Sequence, residues 1–120
     1  MTLHSLHRTM EWLRKEGFEV EKVEQAWNPY TRKRRDLFHI IDAIAIKKDD
    51  PVTIGVQACA TGELVAHEKK IRSSPYFETW LSSPYRMILL VGWSKKVARG
   101  KDGKKLKVKR WTPKSYYVTL

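Results

Sequence analysis

The sequence predicts a single α/β domain, with a central mixed β-sheet flanked by helices in the order helix, strand, strand, strand, helix, strand, followed by a basic β-hairpin. Three observations lead there. Leu3, Leu6, Met10 and Leu13 recur at helical spacing near the start. Two apolar segments, residues 40–46 and 52–59, flank the charged connection "KKDDP". The run "RMILLVGW" is apolar at both alternating positions, as a central strand covered on both faces should be. A chain of 120 residues is about the size of one domain, so residues 1–120 are read as one unit with 94–111 as a hairpin extension.

The first helix is amphipathic: Arg8, Arg14 and Lys15 lie largely off the apolar stripe, and Gly17 follows as a stop signal. Phe18 and Val20 then alternate as the first strand. A surface loop is expected next, because "NPYTRKRRD" combines the turn residues Asn28 and Pro29 with a basic run. Asp49, Asp50 and Pro51 supply the turn of an antiparallel strand pair. In its second strand Val52, Ile54, Val56 and Ala58 face one way, and Thr53, Gly55, Gln57 and Cys59 the other.

Leu64, Val65 and Ile71 predict a second helix behind Thr61 and Gly62. Ser74 and Pro75 suit the start of a short helix whose apolar face is Phe77, Trp80 and Leu81. After the central strand, "SKKVARGKDGKKLKVKRW" reads as two strand-like arms around the turn signal Asp102 and Gly103.

The net charge of +11 is large for this length and implies an anionic partner. Lys and Arg displace condensed counterions when they neutralise phosphates, so nucleic acid fits better than a merely soluble surface or an anionic membrane. Candidate contacts are Arg32, Lys33, Arg34 and Arg35 in the first patch and Lys95, Lys96, Arg99, Lys104, Lys105, Lys107, Lys109 and Arg110 in the second. Asp102 is the one acid within that second run. Tyr30, Trp93 and Trp111 border these patches and are of a kind to stack on exposed bases, with core packing as the alternative reading. Trp12 and Trp80 read as core.

The single cysteine, Cys59, excludes an intrachain disulfide, and a cytoplasmic protein is the expectation. The start lacks the long apolar region of a signal peptide or membrane span. Asp42 is a carboxylate inside "HIIDAIAI", where burial without a partner or metal is strongly disfavoured. Asp36, beside Arg34 and Arg35, reads as part of a structural ion pair that could flank a site. His4 and His7 stand at i and i+3, and neither they nor His39 or His67 form a zinc-like spacing with Cys59.

The element order, with "IDAIAI" followed by "TIGVQAC", resembles the PD-(D/E)XK nuclease superfamily, in particular small Holliday-junction-resolvase-like and phage nuclease-like proteins. Asp42 stands where that family has its first Asp, with Ile41 in place of the proline; Gln57 stands at the Glu position and Cys59 at the Lys position. The resemblance implies a restriction-endonuclease-like fold and a divalent-metal-dependent endonuclease acting on structured DNA. Mg²⁺ or Mn²⁺ would be held by Asp42 and Gln57, and a homodimer is implied by the junction-resolving relatives.

The departures matter chemically. Gln57 offers an oxygen without the negative charge that strengthens metal binding, and Cys59 cannot supply a cation beside the attacked phosphate. Lys70, or Lys69, could replace that cation from the second helix, with Glu63, Glu68 or Glu11 as a further acid; ordinary charge pairing on a solvated helix face is the competing reading. Two other readings stay open: a nuclease-fold DNA-binding protein without catalysis, and a small RNA-binding protein using the basic hairpin.

Overall fold

The computed structural model describes residues 3–23, 25–30, 33–99, 103 and 105–120. Side chains are described for these apart from 3, 25–28, 33–35, 97–99 and 105–108. The elements are α1 (Leu3–Lys15), β1 (Glu19–Lys22), β2 (Gln25–Asn28), β3 (Lys33–Arg35), β4 (Ala43–Ile46), β5 (Thr53–Ala60), α2 (Leu64–Arg72), α3 (Phe77–Leu81), β6 (Arg86–Arg99) and β7 (Lys105–Tyr117). A 3₁₀ turn, Thr61–Glu63, joins β5 to α2.

Five strands form one sheet in the order β1-β4-β5-β6-β7. The β1/β4, β4/β5 and β6/β7 pairs are antiparallel, whereas β5 and β6 are parallel, because α2 and α3 carry the chain back between them. The mixed sheet with flanking helices is the α/β class that the sequence predicts.

Alternation along β5 divides the interior into two layers. Ile54, Val56 and Ala58 face α1, where Leu6 and Leu13 join Leu89, Val91 and Trp93. On the opposite face Cys59 packs with Leu64, Ile71, Phe77, Trp80 and Leu90. Each fully buried aliphatic side chain contributes roughly 1.5–3 kcal/mol.

Helix α1 ends where the sequence demands. Gly17 adopts φ +95°, and the Phe18 N–H reaches the Leu13 carbonyl at 3.0 Å while the Gly17 N–H reaches that of Arg14 at 3.1 Å. This pair of bonds satisfies carbonyls that a helix terminus otherwise leaves open. Close approach explains Gly92: a Cβ there would lie 2.8–2.9 Å from the Leu64 side chain, so the missing methyl lets α2 sit directly on β6.

Two features differ from the sequence expectations. The segment expected as a loop contains a two-stranded sheet of β2 and β3, with Gln25 opposite Arg35 and Asn28 opposite Lys33. Residues 40 and 41 do not extend β4. They belong to a tight turn in which Leu37 bridges Ile41, Phe38 and His39 take φ of 52° and 64°, and both isoleucines are buried.

The two basic arms are continuous with the core sheet. β6 runs unbroken from the core into the first arm, and β7 pairs with it from Arg99↔Lys105 back to Leu89↔Tyr117. A bulge lies between Val97 and Arg99. Among the described residues, no helix is long and apolar enough to cross a membrane.

Candidate functional site

The register Ala43↔Val56 brings the start of β4 beside the middle of β5. Asp42 precedes β4 and is 0% exposed. Its N–H donates to the Val56 carbonyl at 2.8 Å, and its carboxylate Oδ2 accepts from the Ala58 N–H at 3.2 Å. The side chain thus continues the strand ladder at the point where the backbone turns away.

Gln57 is 1% exposed and both ends of its amide are engaged. Nε2 donates to the Ile40 carbonyl at 3.0 Å and to Asp36 Oδ2 at 3.4 Å. Both partners accept only, which fixes the amide orientation and leaves Oε1 facing His67 Nδ1 at 3.0 Å. An amide oxygen cannot donate, so His67 carries a proton on Nδ1. Its Nε2 faces the Glu63 carboxylate at 3.6 Å. Burial holds the His67 pKa below its ordinary 6.5, and Lys70 pushes in the same direction.

Lys70 reaches from α2 to Asp36 Oδ2 at 2.9 Å. The outcome is one chain of contacts, Glu63 to His67 to Gln57 to Asp36 to Lys70, joining α2, β5 and the segment before the 37–41 turn. Glu63, His67 and Lys70 share a helix face by their four- and three-residue spacing, which is the signal by which His67 could have been found. Asp36 had no such local signal, because its partners lie 21 and 34 residues away.

Cys59 is buried beside this chain. Burial, and then the nearby Glu63 carboxylate, push its thiol up to about 11. It stays protonated at neutral pH and is neither nucleophile nor metal ligand in that form.

A hydrated Mg²⁺ or Mn²⁺ needs an open set of oxygen donors and keeps several waters. Here Asp42 is enclosed and bonded to the ladder, the Gln57 carbonyl oxygen is taken by His67, and Lys70 is paired with Asp36 instead of standing beside Asp42. Among the described residues, no three His, Cys, Asp or Glu side chains converge as a metal-binding group. The residues present do not fit the metal.

The basic candidates on the β6/β7 ribbon form a second region. Lys95, Lys96, Lys109 and Arg110 are exposed on the part of the β6/β7 ribbon beyond the core. Trp111 is 43% exposed, with the Arg8 guanidinium 3.6 Å above its ring centroid and Lys95 Nζ at 5.2 Å. Trp93 is interior: its indole N–H donates to Thr9 Oγ1 at 2.8 Å, and its ring meets Trp12 edge-on at 6.2 Å. Tyr30 is exposed in the turn that follows β2.

Lys96 lies directly opposite Arg110, and Arg99 opposite Lys105. The side chains of Lys33, Arg34, Arg35, Arg99, Lys105 and Lys107 lie outside the described residues, as do Arg32 and Lys104 altogether. No protein-family model matches the chain, and no curated protein or solved structure matches it.

Proposed function

We propose that this protein binds nucleic acid, DNA in preference to RNA, through the β6/β7 ribbon, on a nuclease-like scaffold whose Asp42, Gln57 and Cys59 serve structure instead of metal catalysis. The observation that carries the reading is the pairing of like charges across the ribbon, Lys96 with Arg110 and Arg99 with Lys105. Like charges directly opposite in an antiparallel pair are destabilising. Phosphates bound between them would relieve that repulsion and release counterions.

Trp111 adds to the cationic character of the ribbon on its other, α1-side face, where the exposed ring is bracketed by Arg8 and Lys95 and presents an aromatic surface within a cationic one. The antiparallel β1/β4/β5 set followed by a parallel β6 agrees with the element order on which the resemblance to PD-(D/E)XK nucleases rests. The closed hydrogen bonding around Gln57 favours the non-catalytic form of that reading.

The test is incubation of labelled duplex, single-stranded and four-way-junction DNA and structured RNA with the protein, with and without Mn²⁺. Retention of DNA that weakens with salt, with no cleavage, is expected. Mn²⁺-dependent cutting abolished by Asp42→Ala would overturn the non-catalytic assignment.

A further inference from the structure

The geometry points to a subsite for one unstacked nucleobase in the aromatic corner formed by Phe38, Tyr76 and Trp80 beside Arg86, an inference that rests on the nucleic-acid reading above. Phe38 and Tyr76 are 45% and 40% exposed, their ring centroids 5.2 Å apart at an interplanar angle of 47°. Trp80 closes the corner from below, 6.2 Å from Phe38, and His39 stacks behind Tyr76 at 5.9 Å. Together with Thr79 and Arg86 these rings line an open pocket of about 270 Å³, small for a drug-sized ligand but suited to one planar ring system.

The backbone holds the corner open at a cost. Phe38 sits at φ 52°, a region a bulky residue rarely enters, and its neighbour His39 does the same at 64°. Such outliers persist where surrounding structure over-determines them, and they cluster at ligand clamps. Here the Ser74 hydroxyl holds the Phe38 carbonyl at 3.1 Å.

Arg86 decides the kind of ligand. Its Nε donates to the Trp80 carbonyl at 2.9 Å, and Nη2 to the Thr79 carbonyl at 3.1 Å and Ser82 Oγ at 3.3 Å. Nη1 takes part in none of these bonds. A fixed cation at an aromatic pocket disfavours a cationic guest and favours a ring carrying carbonyl or imine acceptors, as every nucleobase does.

The pocket also lies on the right face. Tyr116 packs on the α2 side of the sheet, so alternation puts Lys114 and Arg110 on that side, with Lys96 opposite Arg110. From Arg86 to Lys96 is about 33 Å along β6 at roughly 3.3 Å per residue. Even at the roughly 3.4 Å per nucleotide of a stacked duplex strand, a single strand of about a dozen nucleotides is long enough to span pocket and ribbon.

The experiment compares wild type with Phe38→Gly, which keeps the left-handed turn, and Tyr76→Leu, which keeps apolar bulk. Affinity is measured by fluorescence anisotropy for a labelled single-stranded dodecamer and for its duplex. Loss of one base stack should weaken single-strand binding by about 5- to 150-fold, with duplex affinity and the salt slope unchanged. If both variants bind the single strand as wild type does while salt-dependent duplex binding persists, the pocket assignment falls and the ribbon reading stands. If wild type retains neither nucleic acid, both fall. Binding of an aromatic peptide by wild type but not Phe38→Gly, with no change on the single strand, would assign the corner to a protein partner and overturn the proposal.

Discussion

His67 Nδ1 donates to Gln57 Oε1 at 3.0 Å, which commits the one oxygen that Gln57 could offer a metal to holding α2 against β5. The amide is not a weakened carboxylate in this setting. It is a two-sided connector, with an acceptor turned to a donor and donors turned to two acceptors.

Gln57→Glu should therefore destabilise the protein instead of restoring a metal site. A carboxylate would face the Ile40 carbonyl and Asp36 with no proton to give either. Such an unsatisfied, uncompensated group costs about 3 kcal/mol. Urea unfolding at pH 7 measures the loss, and a variant as stable as wild type would show that the connector role is unimportant.

His67 predicts a pH dependence. Its folded pKa lies below the ordinary 6.5, chiefly through burial. Between these two values the unfolded chain binds more protons than the folded one, so stability rises with pH there. The contribution is intact above about pH 6.5, declines as pH falls towards the folded pKa, and then levels off. Denaturant melts across pH 5–7.5 check this, with a shallower decline expected for His67→Gln, whose amide still offers a donor to Gln57.

Cys59 is buried with its thiol pushed up to about 11. A thiol-specific disulfide reagent at pH 8 should react with the unfolded chain promptly and with the native protein only as fast as it opens. Immediate native reaction would contradict the enclosed site. Nucleic-acid binding by Cys59→Ala should match wild type.

Gly92→Ala places a methyl 2.8–2.9 Å from the Leu64 side chain, on the contact that seats α2. Overpacking of this kind costs about 1–3 kcal/mol. Leu64→Ala should relieve it, so the two substitutions are expected to be strongly non-additive in a double-mutant cycle. Simple additivity would mean that α2 is positioned by other contacts.

The sheet was legible because alternation in residues 52–59 and the doubly apolar run before Trp93 are local signals, and the structure uses both. The 37–41 turn was hidden: Ile40 and Ile41 are buried, so their apolar run reads as strand, although Gln57 takes the Ile40 carbonyl as a hydrogen-bond acceptor. The β2/β3 pair was hidden by its charge and brevity. The polar chain through Asp36, Gln57 and His67 was illegible for another reason, since its bonds cross 10 and 21 residues and depend on the completed fold. Asp36 and Lys70 each carried a reading of charge pairing in the sequence, but only the tertiary structure makes them partners.

If the ribbon neutralises phosphates, DNA binding must weaken steeply with salt. For wild type, the logarithm of the affinity should fall linearly with the logarithm of salt concentration. Lys96→Ala/Arg110→Ala should flatten that slope by about 2, since each lost phosphate contact removes roughly 0.9. The same slope in the double variant and wild type would place the binding surface elsewhere than on the ribbon.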